Sequence, residues 1–271
     1  MKFGLDIAMD KEYSDINKLI ELAISAERAG WDGFFLWDII NHTDSEQREV
    51  PVADVTVALS AIAARTSKIK IGIFVCAIPR RRPWKLAREM ISIDHLSNGR
   101  LILGVGLGYL KSDFNKFGEE DDLKIRAEMT DEALDIIEGL WSGEPFSFSG
   151  EYYDIDNVQF LPKPLQQPRI PIWGGGRNRH GFARAARYDG IYPMIPPNIE
   201  ELSNMRDFIK EVRGDLENFN LSLSGELLSK EEDPRQILQE LDNAGLDWWI
   251  EWSQDEFDDQ VEFVKRGPPI N

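Results

Sequence analysis

Residues Trp173 to Gly181 read WGGGRNRHG, three glycines behind a tryptophan and then two arginines and a histidine. Bare backbone lets another group approach the chain closely. The helical pattern HGFARAARYDG follows at once, and a helix start beside such a loop suits a phosphate. A plain sharp turn is the competing reading. GVGLGY, from Gly104 to Tyr109, offers a second glycine-lined stretch. Its spacing is GxGxG before a polar loop, unlike the GxGxxG that opens straight into a dinucleotide-binding helix. It reads either as a strand end packed tightly inside a fold or as a backbone wall for a cofactor. Groups for proton transfer are few. Asp38 could act as an acid-base or orienting group, with Asp6 behind it; each reads equally as a strand-end carboxylate held by hydrogen bonds. His42 follows closely, although a loop histidine is its plainer reading. His95 sits on a helical stretch, and His180 flanks the glycine loop. The single cysteine, Cys76, lies in the apolar run IGIFVCAI with no histidine near it, which suits buried filler better than a nucleophile.

These residues need elements to hold them. The β-rich runs FGLDIA, GFFLWD, KIKIGIFV, RLILGVGLG, RIPIWG, DGIYPM, NLSLSGELL and DWWIEWS alternate with amphipathic helical patterns such as DINKLIELAISAERAG, which Asp15 could cap. Eight strand-helix units predict an α/β fold, a (β/α)8 TIM barrel over 1–271 as one domain, with a doubly wound open sheet as the alternative. Two insertions break the rhythm. YLKSDFNKFGEEDD after strand 4 reads as a lid or active-site loop, and WSGEPFSFSGEYYDIDNVQFLPKPLQQPRIP before strand 5 as a small hairpin over one barrel face.

A barrel of this kind does its chemistry at the carboxyl ends of its strands. That end collects Asp6, Ala8, Trp37, Asp38, Phe74, Val75, Cys76, Gly106, Gly108, Trp173 with its glycines, Met194, Glu226 and Glu251. The result is an apolar, aromatic floor with scattered carboxylates, better suited to a flat ring than to a sugar or a metal. His, Cys and carboxylate groups at metal-ligand spacing are absent, so no metal is expected.

Lys and Arg number 31 against 48 Asp and Glu, a net charge of −17 in 271 residues. Such a surface argues against nucleic acid and anionic membranes as partners. An anionic ligand must therefore meet a local basic site. The acidic turn after MKFGLDIAMD is unlike a signal peptide, and with one cysteine a reducing cytoplasm fits best.

Several stretches together resemble the luciferase-like monooxygenase superfamily, which includes bacterial luciferase and the coenzyme F420-dependent oxidoreductases. They are AERAGWDGFFLWD, VADVTVALSAIAARTSKIKIG, IFVCAIPRRRPWKLAREMISIDHLSNGRLILGVGLG, IRAEMTDEALDIIEGLW, FSGEYYDIDNVQFLPKPLQQPRIPIWGGG and ARAARYDGIYPM. The resemblance implies a barrel whose strand ends hold reduced FMN or the deazaflavin F420, the ring lying over the third strand at Phe74, Val75 and Cys76 beside Trp37. It implies that Gly174, Gly175, Gly176, Arg177, Asn178 and Arg179 line the phosphate and ribityl chain, that Arg126 reaches the phosphate, and that Gly106 and Gly108 leave backbone room. It also implies a cis peptide between Phe74 and Val75. Two departures stand out: Ile39 replaces the family's histidine after Trp-Asp, leaving His42 as a substitute, and Phe74 replaces a small residue.

The compact chain, the WD ending and the WGGG loop resemble the F420 branch more than the luciferases proper, and the basic run RRRPWK could attract the deazaflavin's acidic tail or an anionic substrate, or stand as a solvated edge. The expected function is oxidation or oxygenation of a small organic substrate. If FMN is used, a separate reductase must supply it reduced; a homodimer stays open. A non-catalytic flavin-binding barrel is the rival reading, and a metal-assisted hydrolase using Asp6, Asp38, Glu226 and Glu251 is a further one.

Overall fold

The structure is a computed structural model and describes residues 1–43, 46–194, 196, 198–252 and 256–269. The chain runs β1 (Lys2–Ile7), α1 (Ile16–Ala29), β2 (Gly33–Leu36), a short antiparallel pair β3 (His42–Thr43) and β4 (Glu49–Val50), α2 (Val55–Arg65), β5 (Lys70–Ala77), α3 (Pro83–Leu96) and β6 (Leu101–Gly106). Then come α4 (Ser112–Asn115), α5 (Leu123–Trp141), the antiparallel pair β7 (Phe146–Ser149) and β8 (Asp154–Val158), β9 (Ile172–Gly175), α6 (Arg179–Ala185), β10 (Gly190–Tyr192) and α7 (Ile199–Arg213). The last stretch holds β11 (Asn220–Gly225), α8 (Leu227–Lys230), α9 (Arg235–Asn243), β12 (Trp248–Trp252) and α10 (Phe257–Arg266).

Strands β1, β2, β5, β6, β9, β10, β11 and β12 close into a parallel barrel, in the order β1-β12-β11-β10-β9-β6-β5-β2. They coincide with the eight apolar runs; Ser253, at the end of the last run, lies outside the described residues. The runs are legible because barrel strands bury both faces. Outward residues such as Leu5, Phe34, Ile71, Leu103 and Ile172 pack on the helices in one large core. Asp15 caps α1 by accepting from Asn17 N–H (2.9 Å), and Asp54 caps α2 in the same way through Val57 N–H (2.9 Å).

Inside the barrel, Phe35, Phe74, Ile102, Trp173, Tyr192, Trp248 and Ile250 form a separate plug. Phe35 and Phe74 stack with centroids 3.9 Å apart, and Phe74 also meets Tyr192 (4.8 Å) and Trp173 (5.3 Å). So many rings fit one lumen because some facing positions carry no side chain. A Cβ on Gly104 would lie 2.6 Å from the Phe74 ring and 2.5 Å from the Ile73 carbonyl oxygen.

The insertion after β6 carries α4 and folds down onto the barrel through Phe114, which is buried. The insertion before β9 does form a hairpin, β7 with β8. It rests on α5, whose Glu132 accepts from the N–H groups of Glu151 (2.7 Å) and Tyr152 (3.0 Å).

Candidate active site

The site's floor follows from strand parity. Side chains alternate between lumen and outer core, and Gly4 faces the lumen, since a Cβ there would lie 2.8 Å from the Phe35 ring. Asp6, two residues on, therefore faces the lumen one layer nearer the mouth. By the same count Trp37 stands above Phe35. On β5 the parity breaks: pairing with β6 shifts register between Ile73 and Cys76, and the Phe74–Val75 peptide is cis, as expected. Phe74 and Val75 consequently both face inward. Phe74 drops into the plug, 2% exposed, while Val75 forms a ledge beneath the mouth. Two glycines frame that ledge: a Cβ on Gly106 would lie 2.7 Å from a Val75 methyl, and one on Gly175 would lie 3.1 Å from the other.

The same break sets where Phe74 and Cys76, two of the expected cofactor contacts, pack. Phe74 packs below the floor, stacked on Phe35 in the plug. Cys76 points into the outer core and is fully buried; burial pushes its thiol up to about 12, so it is inert filler.

Asp38 does not have the environment of an acid-base group. Arg80 and Arg81 both lie 2.7 Å from its Oδ1, and Ala77 N–H donates to Oδ2 (2.9 Å), with the side chain 2% exposed. Burial alone would raise its pKa, but the two guanidinium groups and these hydrogen bonds more than offset that, and the pKa is lowered. Arg80 also pairs with Asp113 on α4 (2.6 Å). The network thus ties the ends of β2 and β5 to the insertion. It also occupies Arg80 and Arg81, two of the three arginines in the basic run, while Arg82 and Lys85 stay exposed.

His42 Nδ1 lies 2.6 Å from Asp10 Oδ2, with the histidine side chain 32% exposed and Asp10 11%. The pair sits on the rim beyond β1 and β2, where Asp10 bridges to Val52. Asp10 was not singled out from sequence; its place just past the first strand was the available signal. Deeper in, the Tyr192 hydroxyl donates to Asp6 Oδ2 at 2.5 Å, with both residues fully buried.

The glycine loop divides its tasks. A Cβ on Gly174 would lie 2.8 Å from Ala185 Cα, so this glycine lets α6 pack on β9. Gly176, with φ +145°, meets Gly181 backbone to backbone, and only Gly175 faces the ledge. Asn178 caps α6 by accepting from Gly181 N–H (3.0 Å). Arg177 and Arg179 are exposed and line a groove of about 540 Å³ between α6 and α7, to one side of the mouth. The Arg179 guanidinium lies 4.9 Å from the Phe208 ring.

Arg126 is buried against the strand end. Nη1 donates to the Leu107 carbonyl (3.1 Å), the guanidinium lies 4.0 Å from the Phe114 ring, and Nε has no hydrogen-bond acceptor. Gly108, with φ +85°, makes room for Phe114: a Cβ there would lie 2.4 Å from its ring.

Among the described residues no three His, Cys, Asp or Glu side chains gather as a metal cage needs. Glu251 accepts from Leu228 N–H (3.0 Å), Ser229 N–H (2.9 Å), Ser229 Oγ (2.7 Å) and Trp249 Nε1 (2.8 Å). Glu226 lies 3.7 Å from Lys230 Nζ. The four carboxylates proposed for a metal-assisted hydrolase are thus committed to separate partners.

The chain matches the model of the luciferase-like monooxygenases over residues 2–252. The chain belongs to that family. It is accordingly an oxidoreductase of the luciferase-like class. It is 32% identical to an uncharacterized protein of Mycobacterium tuberculosis over 204 residues, covering 70% of this chain and 68% of that one. The FMNH(2)-dependent dimethylsulfone monooxygenase of Pseudomonas putida is 29% identical, with 72% of this chain and 53% of the relative covered, so the chain spans about half of that enzyme. In structure it resembles an F420-dependent secondary alcohol dehydrogenase (TM-score 0.79, 19% identity, 99% and 98% of the two chains covered). It resembles the monooxygenase RslO1 of Streptomyces bottropensis equally (TM-score 0.79, 18% identity, 98% and 97%).

Proposed function

We propose that the barrel mouth binds reduced FMN, supplied by a separate reductase, and uses it to oxidise a small organic substrate. The Val75 ledge between Gly106 and Gly175 is the observation that carries this: bare backbone on both sides leaves the Val75 methyls without a flanking side chain. The residues present fit such a cofactor. Trp37 borders the ledge half-buried, and Arg126 keeps a buried Nε without an acceptor beside the Leu107–Gly108 backbone. That donor is suited to a phosphate oxygen. When bound, the cofactor supplies the redox chemistry. The chain's own residues orient it, keep water from the ledge and hold protons, with the His42–Asp10 pair on the rim as one proton-handling group.

FMN takes precedence over F420 for two reasons. Relatives with named flavin-dependent activities are similar in sequence, at 29% for the dimethylsulfone monooxygenase and 28% for the trigonelline monooxygenase oxygenase component of Acinetobacter baylyi. Two arginines of the basic run, Arg80 and Arg81, are also bound to Asp38, which leaves less of it for an acidic tail. F420 remains the second reading because an F420-dependent dehydrogenase matches this fold end to end. We treat 1–271 as one domain and place it in a reducing cytoplasm, which suits a lone buried thiol; no helix among the described residues is long and apolar enough to cross a membrane.

The test is a fluorescence titration of the purified protein with FMN, reduced FMN and F420, followed by oxygen uptake with reduced FMN. Micromolar binding of reduced FMN with substrate-dependent oxygen consumption is expected. Tight F420 binding without flavin binding would reverse the choice of cofactor. Tight binding with no turnover of any donor would favour the non-catalytic reading, which has already lost one support now that Phe74 lies below the ledge.

A further inference from the structure

Helices α6 and α7 follow β9 and β10, and the groove between them is separate from the Val75 ledge: none of the residues lining it belongs to a strand. On α7, Glu201, Asn204, Met205, Phe208 and Glu211 fall at i, i+3, i+4, i+7 and i+10, so they share one face of the helix. On α6, Arg179 and Phe182 are one turn apart and meet that face, the Phe182 and Phe208 rings lying 6.2 Å apart. The floor is apolar. Met205 is buried and, with half-buried Phe182, belongs to the core that α6 and α7 share with β10 and β11.

The walls are charged, and their charges do not meet. Two other arginines of this stretch do find carboxylates on α5: Arg184 holds Asp131 (2.7 Å) and Arg187 holds Asp135 (2.6 Å). Arg177 and Arg179 pair with no carboxylate among the described residues, and their guanidinium N–H groups find no acceptor there, although three acids line the same groove. One of these, Asp207, is taken by Arg206 on its own helix (3.1 Å). The others, Glu201 and Glu211, have no ion-pair partner among the described residues. Two open cations and two open carboxylates thus face one apolar channel without closing across it. Each is half of a charge-assisted contact. A ligand of one charge would satisfy one pair and be repelled by the other, whereas a ligand bearing both signs satisfies both.

We propose that this groove is a binding site for an aromatic zwitterion, distinct from the barrel mouth and independent of the functional reading above. The anionic group meets Arg177 and Arg179, the ammonium group meets Glu201 or Glu211, and the ring lies on Phe182, Phe208 and Met205. Phe208 already carries the Arg179 guanidinium at 4.9 Å. A guanidinium resting on a ring keeps its N–H edge available for a bidentate carboxylate. The volume of about 540 Å³ is that of a small-molecule pocket.

The probe that tests this is 4-(aminomethyl)benzoate, with its two charges at opposite ends of one ring. Three analogues each lack one feature: 4-methylbenzoate the ammonium, 4-methylbenzylamine the carboxylate, and trans-4-(aminomethyl)cyclohexanecarboxylate the aromatic face. Carbon-13 NMR of methionine methyl groups reports the place of binding, because Met205 lines the groove whereas Met194 packs against the barrel plug. The full probe is expected to move the Met205 resonance with a Kd of about 1 mM or tighter and to leave Met194 in place. The two singly charged analogues should bind about tenfold more weakly, and the saturated ring about threefold. Arg177→Gln combined with Arg179→Gln should reduce the probe to the affinity of 4-methylbenzylamine, and Glu201→Gln combined with Glu211→Gln to that of 4-methylbenzoate. All four side chains are exposed, so thermal unfolding of both variants should match the wild type. Saturating reduced FMN should leave the Met205 titration unchanged. No Met205 shift at about 10 mM probe, a shift of Met194 alone, or equal binding of the singly charged analogues would overturn the proposal. So would displacement of the probe by reduced FMN, which would give the two arginines to the cofactor.

Discussion

Asp38→Asn removes the one negative charge that two buried guanidinium groups share. Arg80 keeps a partner, Asp113 at 2.6 Å, but among the described residues Arg81 keeps no carboxylate within ion-pair distance, at 19% side-chain exposure. Removing one partner of a buried pair costs about 3–5 kcal/mol. The retained Arg80–Asp113 contact places this variant near the lower end, about 3 kcal/mol, which for a chain of this size lowers Tm by roughly 6–12 °C. Thermal unfolding followed by circular dichroism at pH 7 measures it. The pH dependence carries a sign. The folded pKa of Asp38 is lowered, so its stabilisation is complete above the unfolded value of about 3.9 and is lost as pH falls through the folded one. The gap between wild type and variant should therefore be widest at neutral pH and close in acid below about pH 4. A Tm within a degree of wild type, together with a hundredfold loss of turnover, would refute the structural role and return Asp38 to acid-base chemistry.

Arg126→Ala should weaken reduced FMN binding by about 1.5–3 kcal/mol, roughly 10- to 150-fold, through loss of a charge-assisted phosphate contact; equal affinity by fluorescence titration would remove Arg126 from the site. Asp113→Asn loosens the insertion from Arg80, so limited proteolysis between residues 109 and 122 should speed up, and bound cofactor should slow it in the wild type. Cys76, with its thiol pushed up to about 12, should resist a thiol reagent at pH 8 and react only on unfolding; rapid labelling of the native protein would show that the site is open.

What was legible in the sequence was whatever is encoded locally. The eight strands showed as apolar runs because each is buried on both faces, and Asp15 showed as a cap because its partner Asn17 is two residues away. The pairings that assign roles are not local. Arg81 and Asp38 are 43 residues apart, His42 and Asp10 are 32 apart, and Tyr192 and Asp6 are 186 apart, meeting only once the barrel closes. Cys76 was misplaced for a different reason. Simple alternation from Gly72 puts Phe74 and Cys76 on the lumen side, and one register shift between Ile73 and Cys76 moves Val75 inward and Cys76 outward. The glycine triplet is ambiguous in a third way, since close helix packing and ligand approach both demand a missing Cβ, and at Gly174 and Gly176 close packing on α6 already does so.

Three buried carboxylates near the mouth show how environment separates anchors from reactive groups. Burial opposes charge on all of them, so burial alone distinguishes none. At Asp38 two guanidinium groups overcome it, and both oxygens are engaged. At Glu251 no cation helps and burial raises the pKa, yet four donors share the two oxygens, leaving none for a ligand. Asp6 combines a raised pKa with an oxygen whose nearest help is the Trp37 indole, short of a full hydrogen bond, and it is sealed from solvent. A group must have both properties to exchange a proton near neutral pH: a balance between its two forms, and an atom not already taken. By that criterion Asp38, with both oxygens taken and its charge held by two guanidinium groups, ties the walls together rather than exchanging a proton.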